Sequence, residues 1–267
     1  TGNAAPNLKD DNENGIPDYI DFVGSIADSA HYLLIEVLGF QEEPYDGDGG
    51  YDIYIMSYGA GSYGFNYLDS GGSSYLQIDN DYIGYDSKFE LTPLQIMQIT
   101  VAHEYFHAIQ WGYEDNLSSN KYFYEMSSMW FEDVIIPNGN DYLDGWVEPL
   151  LNNPDLAINN IGDGYELALF GHYLSSFVDQ NGFDNIYSTT IIRDIWEKYS
   201  TSNLNPLESM EYVLINKFNQ NSFIEVWMDF MTRNLFNGID STYYYYSDQE
   251  LINPLYINRS IIDDSLT

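Results

Sequence analysis

An α+β fold is predicted, with a mixed β-sheet and one buried helix in the first half of the chain and a mainly helical second half. Three observations carry this. Residues 52–58 and 74–79 alternate and are rich in Ile and Tyr, as half-buried strands are. Residues 92–112 form a long apolar run with helix signals at both ends. Beyond Gly112 the strong patterns follow the 3.6-residue period of helices. The division near Gly112 gives two lobes of one domain, an N-terminal lobe over 1–112 and a C-terminal lobe over 113–267.

Composition sets limits on function. The 267 residues are 44% hydrophobic and 17% aromatic, enough to bury a core. Forty-two acidic residues face eight Lys and Arg, a net charge of −34. A nucleic-acid binder needs a basic patch, so that class is excluded, and binding to anionic lipid is excluded on the same ground. Such self-repulsion costs stability, which bound cations or a salty medium would offset. With no cysteine there are no disulfides. No apolar run has the length of a membrane span. The polar start at Thr1, with no visible signal peptide, fits a mature secreted or cell-surface chain. Asn116 and Asn258 head glycosylation sequons, a pattern too common to carry weight.

Residues 1–9 are polar. Residues 10–21 then match the frame of a calcium loop. Asp10, Asn12 and Asn14 take positions 1, 3 and 5, and Gly15 supplies the turn. Ile16 offers its carbonyl, Asp18 stands at position 9 and Asp21 at 12, where a longer Glu is usual. An Asx-rich turn capping the next helix is the plainer reading. That helix is predicted over Phe22–Leu38, ended by Gly39, with His31 at its surface or core edge. Residues 44–52 form a second acidic, glycine-rich loop. It could bind calcium through Asp46, Asp48, the Gly50 carbonyl and Asp52, or be a plain turn. A strand over 52–58, a glycine-rich loop over 59–72 and a strand over 74–79 follow. The strand just before the long helix could be the sheet edge to which an extended peptide adds.

The long helix is predicted to start with Thr92 as N-cap, Pro93 at N1 and Gln95 closing a capping box, and to end at Gly112. Within it lies His103-Glu104-Tyr105-Phe106-His107. Residues four apart share a helix face one turn apart, so both imidazoles can ligate one zinc. Glu104 can reach the water in the open position. Burying these groups unpaired in so apolar a helix would cost several kcal/mol, and a metal pairs all three.

After a polar loop, residues 122–134 form the next helix. A short connection makes the two helices antiparallel and returns Glu125 over the histidines. Glu132, two turns on and roughly 10 Å away, then supports the ligands from behind with Asp133. Residues 146–163 are loop-rich. Helices are predicted over 165–178, 186–199, 207–218 and 223–236, before a tail from Ser241 that includes the run Tyr243–Tyr246.

His103-Glu104-Tyr105-Phe106-His107 followed by Glu125 resembles the gluzincin group of zinc metallopeptidases. More narrowly, the chain resembles secreted bacterial metalloproteases of the zincin clan. The resemblance extends over Asn14-Gly15-Ile16-Pro17-Asp18-Tyr19, residues 101–110, Trp130-Phe131-Glu132-Asp133 and the helix from Tyr165 to Tyr173. Met126-Ser127-Ser128 and the acidic balance depart from it. It implies a zincin-like fold with the active-site helix in a cleft, Zn2+ on His103, His107 and Glu125, and Glu104 as general base. A donor from the helical lobe would stabilise the oxyanion. Tyr165 is the first candidate, ahead of His172 and Tyr173, though packing is the usual role of such residues. The expectation is a monomeric, secreted zinc endopeptidase with structural Ca2+, acting on protein or peptide substrates. Two other readings stand beside it: a calcium-stabilised surface or adhesion module with a vestigial zinc site, and a zinc hydrolase of a non-peptide bond.

Overall fold

The architecture follows from a few strong local signals. The computed structural model describes residues 5–85, 89–153, 156–234, 248 and 251–252. The tyrosine run at 243–246, the tail from Ser241 and the sequon at Asn258 lie outside them. The fold is mixed α+β, with one small sheet and many helices. Its contacts group into two compact units, Thr1–Ser119 with Phe131–Asp141, and Asn120–Trp130 with Tyr142–Thr267.

In the first unit, α1 (Asp18–His31) continues into a π-turn over Tyr32–Val37. Gly39, at φ 77°, then lets the chain turn, and Phe40 N–H closes on Leu34 O. Three short strands follow, β1 (Ile53–Ile55), β2 (Gly64–Leu68) and β3 (Ser74–Ile78). Their order is β1-β3-β2, with β1 parallel and β2 antiparallel to β3. Alternation sets the faces: Ser74, Leu76 and Ile78 are buried, while Tyr75 and Gln77 face out.

Two expectations are corrected here. The stretch 59–72, read as a loop, contains β2. The strand preceding the long helix, β3, is the centre of the sheet; its edges are β1, already read as a strand, and β2. Glycine concealed that edge, because Gly64 reads as a turn residue. It is there for close approach: a Cβ would stand 2.8 Å from Thr100 Cγ2 and 3.3 Å from Glu104 Cγ.

Helix α2 (Pro93–Gln110) packs on β2, β3 and α1. Its capping box forms as expected, Thr92 Oγ1 accepting from Gln95 N–H and Gln95 Oε1 from Thr92 N–H. From Ile96 onward nearly every residue is buried, so the helix is enclosed on all sides, its polar His103, Glu104 and Gln110 included. Phe106 sets its edge against Phe40 and Phe131 at 4.9 and 5.6 Å. Gly112 ends the run where a Cβ would meet Glu42 O at 2.9 Å.

The second unit is helical: α4 (Glu148–Asn152), α5 (Ala168–Tyr173), α6 (Asn181–Asp184), α7 (Ile191–Ser200), α8 (Pro206–Lys217) and α9 (Phe223–Asn234). Its core is aromatic. Trp196 stacks on Phe123 and Tyr124 and donates to Ser127 Oγ at 3.0 Å; Trp130 donates to Ser175 Oγ at 2.9 Å. Helix α3 (Lys121–Ile135) is continuous across the boundary at Trp130 and Phe131, so its first half belongs to one unit and its second half to the other.

Candidate metal centre

The site is built from side chains on α2 and α3. His103 and His107 project one turn apart, with ring centroids 4.8 Å apart. Each Nδ1 has an acceptor. His103 Nδ1 lies 2.6 Å from Glu132 Oε1, and His107 Nδ1 lies 2.8 Å from Gln110 Oε1. An ionised carboxylate and an amide oxygen accept only, so both protons sit on Nδ1 in the neutral rings. Both Nε2 lone pairs are then unprotonated, and these two atoms face each other at 3.1 Å. Two nitrogens on one tetrahedral zinc, with bonds of about 2.0–2.1 Å, would stand about 3.3–3.4 Å apart.

Glu132 brings the second half of α3 against His103. Glu125, on the same rigid helix two turns earlier, shares that face. Ligand atoms of His103, His107 and Glu125 lie within 4.8 Å of one another. They are the only such group of three among the described residues, and it could hold a metal ion. The donor chemistry, two imidazoles and a carboxylate on a largely buried face, fits zinc. Glu104 is buried but stands outside this group.

Three residues around the site were not read from the sequence. Gln110, wholly buried, orients His107. Asn66 of β2 ties the strand to α2: its Nδ2 donates to Glu104 O at 3.1 Å and its Oδ1 accepts from Trp111 Nε1 at 2.8 Å. Gly64 lets the strand approach Glu104 itself. The alternation Phe65-Asn66-Tyr67-Leu68 was the available signal for β2. On the other side of α2, Tyr105 donates to Glu43 Oε1 at 2.7 Å and meets His31 Nδ1 at 2.9 Å. Burial and the Glu43 charge raise the Tyr105 phenol.

The oxyanion candidates sit in the second unit. Tyr165 opens a 3-10 turn after Gly164 (φ 112°), half-buried with its ring 5.0 Å from Trp146. Tyr173 donates to Asp229 Oδ2 at 2.6 Å. His172 is buried against Tyr142, and burial lowers its imidazole to about 3.

The loop at 10–21 wraps as its glycine demands, with Gly15 at φ 89°. The Asp10 carboxylate accepts from Asn14 N–H at 3.2 Å and Gly15 N–H at 2.9 Å. Asp21 Oδ2 accepts from the Asn12 and Asn14 amides at 3.1 and 2.8 Å, and Asp18 Oδ1 from Asp11 N–H at 3.1 Å. Asn12 and Asn14 are exposed, while Asp10, Asp18 and Asp21 are half-buried. Asp18 and Asp21 lie on the first turn of α1. In the loop at 44–52, Asp46 Oδ1 accepts from Asp48 N–H and Asp48 Oδ1 from Gly50 N–H, two successive Asx turns. Asp52 Oδ2 meets the Tyr54 hydroxyl at 3.4 Å. Among the described residues, neither loop forms a close group of three metal-ligating side chains of the kind made by His103, His107 and Glu125.

Comparison with family models, with curated proteins and with solved structures gave no match.

Proposed function

We propose that the chain is a zinc-dependent endopeptidase with a zincin-like arrangement. One observation carries the reading: a buried and a half-buried histidine with Nδ1 spoken for and Nε2 atoms 3.1 Å apart, with a carboxylate within reach. His103, His107 and Glu125 would hold the metal. A bound zinc ion supplies Lewis acidity and brings the pKa of its water toward about 7. Glu104, buried next to His103 on α2 and outside the ligand group, is assigned the proton transfer. It takes the proton of the attacking water and returns it to the leaving amine. Glu132 and Gln110 hold the imidazoles in the tautomer that leaves Nε2 available. Tyr165 is proposed as the donor to the oxyanion.

Peptides are favoured as substrates because the edge strand β2 packs against Glu104 through Gly64 and Asn66. An extended chain adds to such an edge by backbone hydrogen bonds. The loop at 10–21 is proposed to hold calcium through Asp10, Asn12, Asn14, the Ile16 carbonyl, Asp18 and Asp21, offsetting part of the −34 charge. A secreted or surface location suits such a calcium site.

Zinc stoichiometry and cleavage of an unfolded protein substrate, measured on the wild type and on Glu104→Ala, test this. The variant should retain one zinc while losing about 10²–10⁴-fold in cleavage rate. Unchanged cleavage would refute the base, and absence of zinc from both proteins would refute the site.

A further inference from the structure

The sheet has two faces of opposite character. One packs on α2. The other carries a continuous row of aromatic rings: Tyr54, Tyr75, Tyr67, Phe65 and Tyr58. The register produces this, since Tyr67 pairs with Tyr75, Phe65 with Gln77, and Tyr54 with Gln77 on the other side. Neighbouring centroids lie 5.4 to 5.8 Å apart, and Tyr58 donates to Gln77 Oε1 at the centre. Tyr54, Phe65 and Tyr67 remain 50, 39 and 40% exposed. So much exposed aromatic surface on one small sheet marks an interaction site.

Charge decides what it fits. Between Lys9 and Lys121 the only Lys or Arg is Lys88. Asp52 and Asp69 flank the row, and the Asp52 charge, with a smaller contribution from Asp69, raises the Tyr54 phenol. An anionic ligand is repelled, a neutral one gains nothing from this field, and a cation gains from both the field and the ring faces. The geometry of the edge adds a backbone requirement. Tyr63 O accepts from Asp79 N–H, and Ser73 O from Asp69 N–H, so the odd-numbered residues of β2 bond β3. The N–H and C=O groups of Gly64, Asn66 and Leu68 point away from β3. A strand added there would set alternate side chains over Phe65 and Tyr67.

We propose that this aromatic face, with the edge of β2, binds extended polypeptide bearing Lys or Arg at alternate positions. The inference rests on the substrate edge proposed above and extends it to the aromatic face; binding is measured apart from cleavage, so its failure leaves the metal site untouched. Fluorescence anisotropy would use a dye-labelled octapeptide of alternating Lys and Thr, and the same peptide with norleucine for lysine, with 1,10-phenanthroline present to prevent turnover. The lysine peptide should bind at least about tenfold more tightly than the norleucine one. Tyr67→Ser with Tyr75→Ser should weaken it about tenfold, and Tyr67→Phe with Tyr75→Phe should not. If the serine pair fails to fold, Tyr54→Ser, at the most exposed ring, serves the same comparison with about a threefold loss expected. Equal binding of both peptides, or undiminished binding by the serine variants, would overturn the proposal, the latter placing the cation elsewhere on the acidic surface. Tyrosine-dependent binding of cellohexaose without tyrosine-dependent binding of the lysine peptide would overturn it in favour of a glycan.

Discussion

The histidine pair of α2 and the acidic loop ahead of α1 are both offered to cations, yet they are prepared differently. The histidines are buried or nearly so, their Nδ1 atoms are committed to Glu132 and Gln110, and their Nε2 atoms face each other. The loop is exposed over residues 11–16, and its half-buried Asp10, Asp18 and Asp21 are already served by N–H groups of the loop itself. Two imidazole nitrogens facing each other at 3.1 Å gain much from a cation placed between them, whereas carboxylates already accepting N–H bonds gain less. The first region should therefore depend strongly on its metal, and the second only modestly.

The largest separation is expected from removing one donor on each side. His107→Ala should abolish zinc binding, read as metal per protein after dialysis, whereas Asp10→Asn should leave one zinc in place. Similar losses in both would mean that the two regions are not distinct. Next comes the support behind the ligand. Glu132→Ala should weaken zinc affinity by about 10–100-fold in competition with a chromophoric chelator. Glu132→Gln keeps an acceptor oxygen and should lose less; identical losses would assign Glu132 to packing.

A third buried imidazole sharpens the contrast. His172 lies against Tyr142, and burial lowers its pKa from 6.5 to about 3. The folded state thus keeps it neutral while the unfolded chain binds a proton below pH 6.5. Its stabilisation is complete above pH 6.5 and is lost as pH falls from there toward 3, by at most about 1.4 kcal/mol per pH unit. Denaturant titrations of His172→Phe should show a shallower loss over that window than the wild type, and parallel curves would contradict it. The smallest effect belongs to the loop. Calcium should raise the melting temperature by a few degrees, about 1 kcal/mol in stability. Asp10→Asn should remove that response, and a wild-type melt indifferent to calcium and EGTA would dismiss the loop site.

Local signals were legible residue by residue. Thr92, Pro93 and Gln95 announced the start of α2, Gly39 the turn after α1, and the alternation at 74–78 the central strand. Each depends on neighbours within a turn or two, which the linear order already holds together. β2 was missed because its first residue is glycine. That glycine answers to Thr100 and Glu104, which lie far off in sequence. The edge was assigned to the wrong strand for a related reason, since strand order is set by pairing between segments.

The sequence by itself determined that His103 and His107 share a face, because four residues on an α-helix return to it. It also determined the acidity that excludes anionic partners. Tertiary structure decided the contacts at their rings: Glu132 Oε1 lies 2.6 Å from Nδ1 of His103, and a Glu125 carboxylate oxygen falls within 4.8 Å of ligand atoms of both histidines. It decided too that Gln110 turns inward to His107, that Asn66 holds the edge strand to Glu104, and that a row of tyrosines shares one open face. Those facts depend on contacts between distant segments, whose geometry no local period specifies.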